Sequence, residues 1–148
     1  MKMRRFLLNK LARDKTVERF TAHKAVVKSK ILEDNNEYLE AMTQKIVEEL
    51  EEVFDSQSQE ELIVELADFE EVMDAFKKLV DIDQKDIDDV RKAKGAERGF
   101  FGDRVFVEHV DVPESATEIL EYVEAQPDKY PEVDPKTGEF LESDDEDA

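Results

Sequence analysis

The stretch KIVEELEEVFDSQSQEELIVELADFEEVMDAFKKLV, residues 45–80, decides the fold. Its apolar residues recur at three- and four-residue intervals on both sides of a polar break at Ser56-Gln57-Ser58. That is the pattern of two amphipathic helices joined by a short turn. Ser58-Gln-Glu-Glu61 reads as a capping box that opens the second helix, since the hydroxyl and the carboxylate can each satisfy a free backbone N–H. At about 100° per residue, Leu39, Met42, Ile46, Leu50 and Val53 share one direction and form the expected buried stripe of a first helix over about 36–54. Leu62, Leu66, Phe69, Val72, Met73, Phe76, Leu79 and Val80 form a wider arc on a second, which runs to about Val80.

The acids of this stretch are not equivalent. Glu49 lies at the edge of the first stripe, with Glu52 next and Glu48 further round, while Glu51 points away. On the second helix Glu65 falls inside the apolar arc and Asp68 at its margin, whereas Glu70, Glu71 and Asp74 face outward. Burying an unpaired carboxylate costs several kcal/mol or forces protonation. A single inward carboxylate is ordinarily neutralised by a core cation, but Lys45, Lys77 and Lys78 do not share the direction of these four. Glu49 with Glu52, and Glu65 with Asp68, are i, i+3 pairs, each projecting from one side of its helix. Antiparallel packing through the turn brings the pairs together. Four such carboxylates call for a divalent cation, and hard oxygen donors without cysteine select Mg²⁺ or Mn²⁺.

Around this hairpin the chain reads as mainly α. A short helix is expected from Asp14 to about Lys24, and a third main helix from Asp83 to Gly95 or Gly99. His23–Leu32 and Arg104–Val110 are rich in β-branched and aromatic residues and are expected to pair as a small two-stranded ribbon. All four prolines (113, 127, 131, 135) lie in the last 36 residues, which carry 13 acids against two bases. The folded domain is therefore placed at 1–112 and an acidic extension at 113–148. In that extension Ser115-Ala-Thr-Glu118 resembles a capping box for a short helix to about Ala125, and ESDDEDA reads as a flexible tail.

The chain has no cysteine, which excludes disulfides and thiolate chemistry. Its net charge of −19 argues against a nucleic-acid backbone as partner. The charge is uneven: residues 1–30 hold ten Lys or Arg against Asp14 and Glu18, a net of +8. No apolar run approaches the roughly 18 residues of a membrane span, and Phe6-Leu7-Leu8 is too short for a signal-peptide core. A soluble, cytoplasmic protein is expected. His23 and His109 lie on the expected strands, away from the carboxylates, and are not read as catalytic.

Glu48-Glu49-x-x-Glu52, twelve residues, then Glu65-x-x-Asp68 resembles the carboxylate pattern of the MazG-like all-α nucleoside triphosphate pyrophosphohydrolases, relatives of phosphoribosyl-ATP pyrophosphohydrolase. Asn9-Lys-Leu-Ala-Arg-Asp-Lys15 is similar to the NKLVRDKI opening of one branch, and Glu97-Arg-Gly-Phe-Phe101 to its RGGF segment. Ala12 and Thr16 replace larger aliphatic residues, and Phe100 stands where that branch has a second glycine.

The resemblance implies a MazG-like helical bundle that hydrolyses a nucleoside triphosphate to a monophosphate and pyrophosphate. It further implies Glu49, Glu52, Glu65 and Asp68 as Mg²⁺ ligands, and Glu48 as a group that either supports those ligands from behind or activates water. Arg13, Lys15, Lys94 and Arg98 are the cations placed to hold the phosphates. The lean third helix, with Ile87, Val90 and Ala93, suggests that two copies complete the core, and the family too is usually dimeric or tetrameric; a homodimer or higher homo-oligomer is expected. Two other functions suit the same chain: phosphoribosyl-ATP hydrolysis, and a non-catalytic acidic module that binds a basic partner through its tail.

Overall fold

A computed structural model of the chain describes residues 2–142. The chain divides into two compact units, Met1–Gly99 and Phe100–Ala148. The first holds α1 (Thr16–Ala22), α2 (Asn35–Asp55), α3 (Gln59–Leu79) and α4 (Gln84–Arg98), and the second holds α5 (Thr117–Glu124). Among the described residues, regular structure is helical throughout, apart from an isolated antiparallel bridge between Val133 and Phe140. No helix there is long and apolar enough to cross a membrane.

Local chemistry explains where the long helices begin. The Asp34 carboxylate accepts from the Glu37 N–H at 2.9 Å and caps α2. Ser58 Oγ accepts from the Glu61 N–H at 3.1 Å and caps α3. The Glu61 carboxylate reaches back to the Gln57 N–H, one residue earlier than a standard box would place it. Helix α4 follows an extended Asp83 whose carboxylate makes no capping bond, and it stops at Gly99, where φ is +79° and ψ −171°. That backbone region is essentially restricted to glycine.

Helices α2 and α3 pack along one another as an antiparallel hairpin, and among the described residues they are the one helix pair with extensive contact. The expected bundle of three packed helices is thus reduced, within this chain, to two. The core between them is thin: Met42, at 1% exposure, is the one buried large apolar side chain. Ile46 and Val53 are half-buried, but Leu39 and Leu50 are 38% and 40% exposed, so the stripe is covered only in part. The physical reason is that a two-helix hairpin offers each helix one neighbour, too little to cover an arc as wide as that of α3.

Two further expectations are corrected. Neither 24–32 nor 104–110 forms a strand, and Val26 and Phe106 are each 86% exposed. Strand propensity reflects packing on a pleated surface, and neither segment has such a surface beneath it. In the second unit α5 starts at Thr117 with Ala116 as an uncapped N-terminus, so the proposed Ser115 box does not form.

After α5, Tyr122 and Tyr130 share a hydroxyl–hydroxyl bond of 3.0 Å. The Asp134 carboxylate accepts from the N–H groups of Lys136 and Thr137, fixing the turn between Val133 and Phe140. Those two backbone bonds hold the Asp134 carboxyl below its ordinary range. Of the acidic tail, residues 143–148 lie outside the described residues.

Candidate metal centre

The turn at 56–58 sets the register of the hairpin. Glu49 lies seven residues before Ser56 and Glu65 seven after Ser58, so the two stand at the same level on facing helices, about 10 Å from the turn. Their i+3 neighbours Glu52 and Asp68 extend the pair in opposite directions along the hairpin. Carboxylate oxygens of Glu48, Glu49 and Glu52 lie within 4.8 Å of one another, and so do those of Glu49, Glu65 and Asp68. Glu49 belongs to both groups.

Glu49 is also the buried member, at 4% exposure. It lies two turns from Met42 on the same face of α2, and these two are the buried residues of that helix. One of its oxygens, Oε1, is 2.8 Å from Lys45 Nζ. The other, Oε2, is buried without a hydrogen-bond partner. A buried carboxylate oxygen in that condition costs the free energy of its lost hydration.

Three cations surround the cluster. Lys45 Nζ sits 2.8 Å from Glu49 and 3.4 Å from Glu48, with its side chain only 16% exposed. The expectation that Lys45 faces elsewhere is therefore corrected. It is i, i+4 to Glu49 and i, i+3 to Glu48, and its four-carbon stem reaches along the helix to both. Lys10 Nζ lies 2.8 Å from Glu48 Oε1, and Arg13 Nη2 lies 2.6 Å from Asp68 Oδ1. Of the residues read as phosphate-binding, Arg13 alone touches the cluster. Lys15 precedes α1, and Lys94 and Arg98 stand exposed on α4; none of the three makes an ion pair with a described residue of the cluster. Lys10 and Lys45 were not foreseen; Lys45 left a signal in its helical spacing to Glu48 and Glu49, whereas nothing local to Lys10 marked its partner.

The electrostatics follow from these distances. The hydrogen bond from Lys10 holds the Glu48 carboxyl below the ordinary glutamate value of 4.5, against an opposing contribution from partial burial and with help from Lys45. Glu52, exposed at the rim, moves the other way, above 4.5, through the slight desolvation of its carboxyl, and the neighbouring Glu49, Glu65 and Glu48 charges reinforce it. Burial works against the charged form of Lys45, but Glu49 and Glu48 outweigh it and hold its pKa above 10.5. Glu52 thus belongs to a group with more negative charge than the local cations neutralise. Oxygen-only donors from two rigid helices, one of them buried with a free lone pair, can hold a hard divalent ion. No protein-family model, curated protein or solved structure matches the chain.

Proposed function

We propose that this chain is a Mg²⁺-dependent nucleoside triphosphate pyrophosphohydrolase of the MazG-like kind, cleaving an NTP or dNTP to the monophosphate and pyrophosphate. The observation that carries the reading is the convergence of four carboxylates from two helices on a fifth, Glu49, whose second oxygen is buried without a partner. Acids crowded on a surface for solubility alone would turn outward, as Glu51, Glu70 and Glu71 do. The NKLARDK segment adds weight, because it brings Lys10 and Arg13 to the same carboxylates.

In this reading Glu49, Glu52, Glu65 and Asp68 would hold the ion, with Mn²⁺ as a substitute. A bound Mg²⁺ supplies charge to offset the phosphates and acidifies water. The chain's own groups do the rest. Water oxygen bonds to the α-phosphorus, and the bond from that phosphorus to the α–β bridging oxygen breaks. Pyrophosphate departs with the bridging oxygen. Glu48, whose carboxylate lies within 4.8 Å of those of Glu49 and Glu52, is the acceptor for the proton that the water gives up. Arg13, Lys15, Lys94 and Arg98 bind the phosphate chain, the arginines with two parallel hydrogen bonds and the lysines as point charges.

A homodimer belongs to the same proposal. Leu39, Val47, Leu50, Phe54, Ile63 and Leu66 are exposed on the hairpin, and a second copy would cover apolar surface that the chain's own helices leave open. The test of the activity is pyrophosphate release from a panel of standard and modified NTPs and dNTPs, with and without Mg²⁺. Mg²⁺-dependent release from at least one member, lost in the Glu65→Ala, Asp68→Ala double variant, is expected. No release from any member, or full turnover by the double variant, overturns the proposal.

A further inference from the structure

Lys45 reaches the carboxylates from α2 itself, but Lys10 and Arg13 come from the non-helical segment that precedes α1, 38 and 55 residues away from their partners in sequence. They divide the cluster between them. Lys10 bonds Glu48 in one carboxylate group and Arg13 bonds Asp68 in the other. Residues 9–12 are held by little else: among the described residues none of their backbone groups shares a backbone hydrogen bond, and Leu11 is only half-buried, whereas the carbonyls of Arg13 and Lys15 accept from the N–H groups of Thr16 and Arg19 and anchor the segment's end to α1. With Lys10, Arg13 and Lys45 in place the five carboxylates carry a net charge of −2. Without the two strap cations they carry −4. An ammonium or guanidinium bonded to such an oxygen repels a divalent ion seeking the same group. It is also, by chemistry, a phosphate ligand.

We propose that residues 9–15 form a displaceable strap, whose Lys10 and Arg13 neutralise the carboxylates in the ligand-free protein, are expelled by a divalent cation, and then bind the substrate's phosphates. This rests on the reading of the carboxylates as a metal site and adds how that site is kept and opened. The strap serves as both a placeholder and a sensor: metal binding converts two partly exposed counterions into two free phosphate donors at the mouth of the same cluster.

The consequence is a pair of effects of opposite sign. Removing two partly exposed ion pairs corresponds to about 2- to 30-fold tighter metal binding. Removing two charged donors to phosphate corresponds to at least about tenfold weaker pyrophosphate binding. Calorimetric titration of Mn²⁺, and then of inorganic pyrophosphate at saturating Mn²⁺, compares the wild-type chain with Lys10→Ala, Arg13→Ala. The same charge removed nearby, in Lys28→Ala, Lys30→Ala, is expected to shift neither.

Because the chain has no cysteine, a nitroxide on Ala12→Cys reports the strap directly in an otherwise unaltered protein. Its spectrum is expected to sharpen on adding Mg²⁺ and to broaden again with pyrophosphate. If Mn²⁺ binds no chain, the metal reading falls and the strap with it. If Mn²⁺ binds wild type and strap variant equally and the label does not respond, the strap alone is overturned.

Discussion

Glu49→Gln keeps the shape of the side chain and removes its charge, which makes it the sharpest probe of the cluster. Without metal, two consequences oppose each other. Lys45 exchanges its charged partner at 2.8 Å for a neutral amide oxygen and keeps Glu48 at 3.4 Å, a loss of about 1 kcal/mol, the difference between a charge-assisted and a weaker bond. Against this, the amide puts an N–H donor among the neighbouring carboxylates where an unpartnered carboxylate oxygen was buried, a relief of about 1 kcal/mol. The metal-free variant should therefore lie within about 1 kcal/mol of wild type.

The difference appears with Mg²⁺. At one hundred times its dissociation constant an ion that binds only the folded chain stabilises it by about 2.7 kcal/mol. For a chain of this length that is a rise in Tm of about 5–11 °C. Glu49 is common to both carboxylate groups, so the variant should gain less than about 1 °C. Far-UV circular dichroism melts at fixed chain concentration, with and without Mg²⁺, read this directly in a protein that has no tryptophan. A variant that keeps the full Mg²⁺-dependent rise refutes the reasoning, and so does a wild-type chain that shows none.

The metal-free chain should show opposite pH responses from two neighbouring glutamates. Glu48, with its folded pKa depressed, stabilises above 4.5 and loses that contribution as pH falls through the depressed value; Glu52, with its folded pKa raised, favours the fold below 4.5 and ceases to as pH rises through the raised value. In Tm against pH, Glu48→Gln should flatten the acid side and Glu52→Gln the side just above 4.5, and saturating Mg²⁺ should abolish the Glu52 response. Gly99→Ala should cost about 1–3 kcal/mol through backbone strain alone, since nothing lies within 4 Å of the added Cβ; a melt within 1 °C of wild type would contradict this. Sedimentation at micromolar concentration should give the mass of a dimer or larger, and a monomer would remove the proposed assembly.

The hairpin was legible because its evidence is periodic. Two wheels of apolar residues, a three-residue break and Ser58 fix the helices and their register, and the register alone places Glu49 opposite Glu65. The cations were less legible. A wheel gives the direction of a Cα–Cβ bond, but Lys45 bends from its own direction to reach Glu49 one turn on, and no local pattern tells that Lys10 and Arg13 cross to α2 and α3. The ribbon failed for a different reason. HKAVVKSKIL and RVFVEHV have the composition of strands, but composition records a preference for a packed, pleated surface and cannot supply the neighbour that makes one. The box at Ser115 failed because the chain enters α5 one residue later than the pattern places it.

The placement of Glu49 also links site to stability. On the inner face of α2 the two buried side chains are Met42, which favours the fold, and Glu49, whose unpartnered oxygen opposes it. An apolar residue at 49 would continue the stripe and deepen a core that otherwise rests on one buried side chain. The carboxylate there is therefore a local conflict between packing and polarity, of the kind that marks functional positions. In the proposed enzyme the conflict ends when a cation binds, so ligation and folding of the hairpin draw on the same oxygen. It follows that Glu49→Leu should stabilise the metal-free chain and abolish its response to Mg²⁺ together. Glu51→Leu, on the solvent face of the same helix turn, should do neither; if it matched Glu49→Leu in both respects, the argument from burial would fail.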